Sequence, residues 1–201
     1  MCVDPRQTTA GLPEWLTRSL GVRFEFGAEI TQCEASRVSA GERTWEAERI
    51  WLCAGDELRL GEVKLTPCKL QMMRSRPLLQ RIGPMLAGGL TLRHYRAFEE
   101  CPTLPALRAR VRAELPAYDR YGIHVMVSQN GSGELVIGDS HEYGEDIEPF
   151  DKTVIDDLIL KYLRCFFCVP IVEIASRWHG VYVKHHADPY LSFARPGMSS
   201  R

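Results

Sequence analysis

The sequence has little that would place the protein in a membrane or on nucleic acid. No apolar run approaches the roughly 20 residues that span a bilayer, and residues 1–5 lack the basic and apolar regions of an export signal. The 25 Lys+Arg and 26 Asp+Glu leave a net charge of −1, whereas nucleic-acid binders usually show a clear basic excess. We therefore expect a cytoplasmic protein with neither a membrane nor a nucleic-acid partner.

The cysteines support neither a disulfide framework nor a metal site. They number seven, an odd count, and are scattered along the chain, so reduced thiols are expected. Cys165 and Cys168 form a CxxC pair, but the pair ends an apolar helix and no second pair stands at zinc-site spacing. We interpret both as buried core residues and expect no metal. A thiol or metal protein stays open as an alternative.

The short motifs of phosphate cradles and hydrolases are also missing. Gly131 and Gly133 form the only Gly-x-Gly, in a hairpin turn, whereas a dinucleotide site needs its glycines between a strand and a helix. Neither GxSxG nor HExxH occurs. Three histidines on extended segments remain as candidates, namely His124, His141 and His179. Taken alone, each is more often structural than catalytic.

The pattern of apolar residues predicts an α+β fold in which antiparallel strands are accompanied by a few helices. Helices are predicted from about Pro13 to Leu20, over 103–115, and after an Asp151 N-cap with a staple between Phe150 and Ile155. Strands are predicted at 22–26, at 29–38 paired with 44–49 around Gly41, and at 50–54, 69–74, 90–96, 123–128, 134–138, 172–174 and 177–184.

Charge is unevenly distributed along the chain. Residues 63–98 contain seven Lys and Arg and no acidic residue, whereas in residues 134–157 the acidic side chains face only Lys152. Either these segments pair with one another, or the basic one forms a concave surface for an anionic ligand. Strand alternation over 90–96 would send Arg93 and Tyr95 to one face and His94 and Arg96 to the other.

Four segments in a particular order resemble a known family. They are Leu52-Cys-Ala-Gly-Asp56, Cys68-Lys-Leu-Gln-Met72, Glu134-Leu-Val-Ile-Gly138 and Arg177-Trp-His-Gly-Val-Tyr182. Together they resemble the glycine oxidase, sarcosine oxidase and D-amino-acid oxidase group of FAD-dependent amine oxidoreductases. Three further segments, 91–95, 124–131 and 138–144, resemble a subgroup associated with aminophosphonate breakdown.

The resemblance implies roles for particular residues. It implies catalytic positions at His141, which lies next to the position of an active-site histidine in sarcosine-oxidase-like members, and at His124, which lies where they place an aromatic hydroxyl. The implied cofactor is FAD, and the implied cofactor-binding residues are Cys53, Ala54, Gly55, Lys69 and Gln71. Tyr182 stands where amino-acid oxidases keep an arginine for the substrate carboxylate, so Arg93 and Arg96 are expected to hold a phosphonate instead. The implied substrate-binding residues are Arg93, Arg96, Tyr143 and Tyr182.

The resemblance also implies a reaction and a domain arrangement. The reaction is oxidation of a small anionic amine, an aminophosphonate or an N-alkyl amine, to an imine by hydride transfer to flavin. The expected division is a partial FAD-binding α/β domain at 1–60 without its dinucleotide fingerprint, an antiparallel substrate-binding sheet with flanking helices at 61–180, and a clipped return to the first domain at 181–201. The alternative is a truncated, non-catalytic fragment that binds an anion or a protein partner without flavin. The oligomeric state is left open.

Overall fold

The computed structural model describes residues 3–34, 36–53, 65–168 and 172–185. The chain divides into two compact units, one of Met1–Asp4 and Thr66–Lys184 and the other of Pro5–Leu65 and His185–Arg201. Helices and antiparallel sheets occur together, which confirms the predicted α+β class. None of the described helices is both long and apolar enough to cross a membrane.

The described part of the smaller unit contains one helix and a three-stranded antiparallel sheet. Helix α1 begins well before Pro13, where its regular part was predicted, and continues through that proline although one backbone donor is lost there. The sheet confirms a hairpin around Gly41, whose φ of +60° lies in the left-handed region that its two-residue turn requires. The predicted single strand over 29–38 is instead divided into two strands that pair with each other. The elements are α1 (Pro5–Leu20), β1 (Gln32–Cys33), β2 (Arg37–Ala40) and β3 (Arg43–Glu46).

Two predicted strands of this unit are wrong. Residues 22–26 form no strand, and residues 50–53 do not either. Ile50 is buried, but Trp51 is 59% exposed and Leu52 is also exposed, so the apolar run is not buried on both faces as predicted. Ala54, the last residue of that run, lies outside the described residues.

The larger unit is built around one long strand, β4. On one edge β4 pairs with β7 and β8, and on the other it pairs with β9 along most of its length. β7 pairs in turn with β6, and β6 with β5, all antiparallel. The strands are β4 (Thr66–Pro77), β5 (Leu86–Ala87), β6 (Met126–Gln129), β7 (Glu134–Gly138), β8 (Glu142–Tyr143) and β9 (Ile174–Lys184).

The hairpin of β6 and β7 is formed as predicted, and Asn130 explains its turn. The Asn130 side-chain oxygen accepts hydrogen bonds from the backbone N–H groups of Ser132 and Glu134, each at 3.0 Å. Gly133 has a φ of +81°, a conformation that a side chain would strain.

Three helices accompany the sheet. They are α2 (Leu104–Glu114), α3 (Pro116–Arg120) and α4 (Thr153–Leu163), and α4 buries Ile155, Ile159 and Leu163 at a spacing of four residues. These side chains join apolar residues of β4, β6 and β7 in one core. The predicted helices are therefore confirmed, although Pro116 starts α3 instead of only ending α2.

The predicted strand over 90–96 is wrong. The segment forms two short 3₁₀ helices, Gly89–Arg93 and Arg96–Phe98. Leu90 is buried in the core, and its backbone N–H donates to the hydroxyl of Tyr162 on α4. Because the backbone turns here, the predicted two-faced alternation of residues 93–96 does not exist.

Two predictions near α4 are also wrong. Lys152, not Asp151, is the N-cap residue, and Phe150 is exposed, so no staple with Ile155 forms. The Asp151 carboxylate instead contacts Lys69 and His179, each through Oδ1. Beyond α4, Cys165 and Cys168 are exposed and not buried, because Leu163 and Phe167 occupy the inward positions.

The basic and acidic segments pair with one another at two places. Lys69 lies 3.1 Å from Asp151, and Arg74 lies 3.4 Å from Glu134. This favours the interpretation of mutually compensating faces over that of a basic concave surface.

The burial of α4 generates a stability prediction. We expect Ile155→Ala to lower the free energy of unfolding by about 2–4 kcal/mol, because the side chain is fully buried and its loss leaves a cavity. The neighbouring Val154→Ala, at a position that is 44% exposed, is the matched control and should change stability by less than about 1 kcal/mol. Denaturant unfolding followed by circular dichroism measures both, and equal losses would contradict the assigned helix face.

Candidate active site

The two faces of β4 have different surroundings, because successive side chains of a strand point in opposite directions. Lys69 and Gln71 point to the side that α4 covers, where their partners lie. Cys68 lies on the other side, between Tyr143 of β8 and Tyr182 of β9 in the strand register. We call the first side the helix face and the second the open face.

On the helix face, Lys69 is buried with its charge compensated. Its side chain is 1% exposed, and Nζ donates hydrogen bonds to the carbonyl oxygens of Glu148 and Phe150 while lying 3.1 Å from the Asp151 carboxylate. A buried ammonium without such partners would be strongly destabilising. Lys69 therefore attaches β4 to the loop that precedes α4.

Gln71 is equally occupied. Its Nε2 donates to the Lys152 carbonyl and to Asp156 Oδ1, and its Oε1 accepts from the Lys152 backbone N–H. Burial raises the pKa of Asp156, whereas Gln71 and Arg177 lower it. Both Lys69 and Gln71, which the sequence assigned to cofactor binding, thus have internal partners on the helix face.

The open face carries exposed aromatic rings and the cation of Lys184. Tyr143, Tyr182 and Trp178 are exposed, and Gly180 lies between Trp178 and Tyr182 on β9 with nothing within 4 Å of the position that a Cβ would occupy. Lys184 Nζ donates to the Tyr143 hydroxyl at 3.0 Å and lies 5.2 Å from the centre of the Tyr182 ring.

Three histidines form a cluster beside this face. The ring centres of His94 and His124 are 4.5 Å apart, those of His124 and His141 4.8 Å, and those of His94 and His141 5.2 Å. These nearly equal separations place the rings at the corners of a triangle. The His141 ring centre also lies 6.0 Å from that of Tyr143, so the cluster continues into the open face.

Backbone pairing holds two of the histidines in place. His124 N–H donates to the Asp139 carbonyl, and Asp139 N–H donates to the His124 carbonyl at 2.8 Å. His141 N–H donates to the Tyr121 carbonyl at 2.9 Å. The first pair continues the β6–β7 ladder, and it brings the Asp139 Oδ1 to 2.9 Å from His124 Nε2.

The imidazoles of His94 and His141 are neutral near pH 7. Burial, with contributions from neighbouring cationic groups, lowers the pKa of His94 to about 3. Burial also lowers the pKa of His141 to about 4, although Asp139 opposes this shift. A neutral imidazole offers one nitrogen lone pair, so these side chains can accept a proton or bind an electrophile.

The structure brings only part of the predicted site together. His124, His141 and Tyr143 are in contact, and Tyr182 joins them through Cys68 and Lys184.

The remaining predicted residues lie elsewhere. The Arg93 guanidinium is bound to Asp119 at 2.7 Å and to the Ile123 carbonyl. Arg96 is exposed on the second 3₁₀ helix, and His179 pairs with Asp151 on the helix face. Cys53 is exposed in the smaller unit, while Ala54 and Gly55 lie outside the described residues.

Sequence reasoning missed His94 and Lys184. Because residues 90–96 had been interpreted as a strand, His94 was separated from the other histidines. Lys184 gave a usable signal, since it stands two residues after Tyr182 on a predicted strand and such residues share a face.

The position of Cys68 generates a reactivity prediction. Burial raises the pKa of the Cys68 thiol, so less of the reactive thiolate is present at a given pH. At pH 8 we expect iodoacetamide to modify Cys68 at least about tenfold more slowly than the exposed Cys165. Peptide mass spectrometry measures both rates, which should converge in denaturant, whereas equal rates in the folded protein would contradict the assignment.

No curated protein and no solved structure matched the chain. The protein family DAO, described as FAD dependent oxidoreductase, matches residues 1–199. This match spans almost the whole chain and indicates FAD as the cofactor. The chain therefore belongs to the DAO family of FAD dependent oxidoreductases.

Proposed function

We propose that the protein oxidises a small amine to an imine with FAD as its cofactor, and that aminophosphonates or N-alkyl amines are the substrate class. The observation that carries this proposal is the cluster of three histidines beside an open aromatic face, in a chain of an FAD-dependent oxidoreductase family. The unit that contains Thr66–Lys184 would be the substrate-binding domain, and the unit that contains Pro5–Leu65 would be part of the FAD-binding domain.

The open face fits the flavin ring system better than the helix face does. An isoalloxazine is planar and aromatic, and it packs well on aromatic side chains. Tyr143, Tyr182 and Trp178 offer such a surface, and Gly180 leaves room between two of them. Lys69 and Gln71 are turned away from it and occupied by internal partners. We therefore assign flavin contact to the open face.

The histidines would prepare the amine for oxidation. Bound flavin supplies the hydride acceptor. An amine is mostly protonated near pH 7, and its ammonium form has no lone pair to assist loss of hydride. The imidazole of His141 or His124 would take that proton, and the Asp139 carboxylate, 2.9 Å from His124 Nε2, would stabilise an imidazolium at His124.

Lys184 would hold the anionic end of the substrate. Its ammonium lies over Tyr182 and donates to the Tyr143 hydroxyl, on the same face as His141. The Arg93 charge, in contrast, is compensated by Asp119 within the fold. A cation on the open face supports a substrate that carries a phosphonate or carboxylate next to its amine.

The fit of the flavin is tested with Gly180→Leu. A leucine meets no atom within 4 Å at its Cβ, so the protein should fold normally while the side chain occupies the space assigned to the flavin. We expect FAD affinity, measured by titration of flavin fluorescence, to fall at least about tenfold, or about 1.4 kcal/mol. Val181→Leu, on the neighbouring exposed position that points to the other face, is the matched control and should bind FAD normally.

Each outcome of this titration is informative. Wild-type protein that takes up no FAD would overturn the proposed function and favour a non-catalytic fragment. Equal affinity in the wild-type and Gly180→Leu proteins would overturn the assignment of the open face.

The substrate assignment is tested with Lys184→Met. We expect KM to rise at least about tenfold for an anionic amine and little for a neutral one, because a charge-assisted hydrogen bond is worth about 1.5–3 kcal/mol. Steady-state kinetics with both amines measure the effect. Arg96→Met is the comparison variant. If KM for the anionic amine rose selectively in Arg96→Met and not in Lys184→Met, the anionic end of the substrate would be held by the arginine predicted from the sequence and not by Lys184.

A further inference from the structure

We propose that His94, His124 and His141 form a binding site for a divalent transition metal of the zinc type. One ligand nitrogen from each residue lies within 4.8 Å of the others. The sequence predicted no metal site because it shows no set of partner ligands at zinc-site spacing, and the turn at 89–93 now brings His94 to the other two histidines. This inference goes beyond the proposed oxidation and does not require flavin.

The distances are close to those of an occupied site. Zinc–imidazole bonds are about 2.0 Å long, so the nitrogens of a tetrahedral site stand about 3.3 Å apart. Closing from at most 4.8 Å requires each nitrogen to move by less than about 1 Å, which small side-chain rotations achieve. Because the three ring centres stand at the corners of a triangle, no imidazole separates the other two.

Contacts with residues around the cluster favour the histidine tautomers that a metal requires. His124 Nε2 lies 2.9 Å from Asp139 Oδ1 in a charge contact without hydrogen-bond geometry. A proton on Nε2 would face this carboxylate and leave the lone pair on Nδ1. His141 Nδ1 lies 3.2 Å from the Gly122 carbonyl oxygen, which only accepts, so its lone pair is on Nε2. Metal-binding histidines usually donate their second N–H to a carboxylate or a carbonyl in this way.

Two nitrogens of the cluster lack a partner within the described part of the chain. His124 Nδ1 and His94 Nε2 are both buried and make no hydrogen bond. A buried polar atom without a partner is destabilising. A metal ion bound through these two nitrogens would satisfy both. His124 Nδ1 is also the nitrogen that keeps the lone pair when the proton is on Nε2, next to Asp139.

The donor set indicates which metals would bind. Three imidazoles suit Zn²⁺, Ni²⁺, Cu²⁺ and Co²⁺, whereas Mg²⁺ and Ca²⁺ prefer oxygen ligands. Three protein ligands leave a fourth position for water. A bound ion would occupy the imidazoles that amine oxidation uses, so Zn²⁺ would inhibit that reaction.

The test is a titration of the full chain with Co²⁺ in the absence of FAD, followed by visible absorption. The protein carries Cys165→Ser and Cys168→Ser, because these exposed thiols are a rival site. We expect one equivalent to give intense ligand-field bands of low-symmetry Co²⁺, and Zn²⁺ to displace it. In His94→Gln, affinity should fall at least about 100-fold, or about 2.7 kcal/mol. His179→Gln, which removes a histidine outside the cluster, should bind normally.

A second variant separates ligation from folding. Asp139→Asn keeps the shape of the side chain and removes its charge, and we expect a loss of about 10- to 100-fold in Co²⁺ affinity. Circular dichroism checks that both variants are folded. Absence of Co²⁺ binding, or binding that His94→Gln leaves unchanged, would overturn the site. Because flavin takes no part in the titration, its result is independent of the FAD experiment.

Discussion

The buried ammonium of Lys69 is the contact on which the arrangement of the larger unit depends. It ties the middle of β4 to the loop before α4 through Asp151 and two backbone carbonyls, and Gln71 repeats the attachment two residues later. Because α4 is held on the helix face, the alternate residues of β4 lie on the open face. One face of the strand is therefore packed against α4, and the other is available to a ligand.

The histidine cluster depends on the same strand indirectly. β7 pairs with β4 and β6 pairs with β7, and the ladder ends in the mutual backbone hydrogen bonds of His124 and Asp139. The chain then turns so that His141 follows on the approach to β8. His94 comes from a separate turn, whose core residue Leu90 is bonded to Tyr162 of α4. Three separate parts of the sequence thereby bring their imidazoles within a few ångströms of one another.

Local patterns accounted for much of the fold. The helices α2 and α4 and the hairpin of β6 and β7 follow from apolar periodicity and from a turn that Asn130 and Gly133 specify. Periodicity failed at residues 22–26, 50–53 and 90–96, where apolar or alternating residues form no strand. A strand needs a partner, and a single segment carries no information about whether one is available.

The sequence by itself determined the class of fold, the main elements of the larger unit, and histidines 124 and 141 as candidates for chemistry. Only the tertiary structure decided that His94 joins them, that Arg93 pairs with Asp119, and that Lys184 lies beside Tyr143 on the open face. The physical reason is one of range. Periodicity and turn chemistry act between residues close in sequence, whereas charge compensation and clustering depend on contacts between segments far apart in the chain.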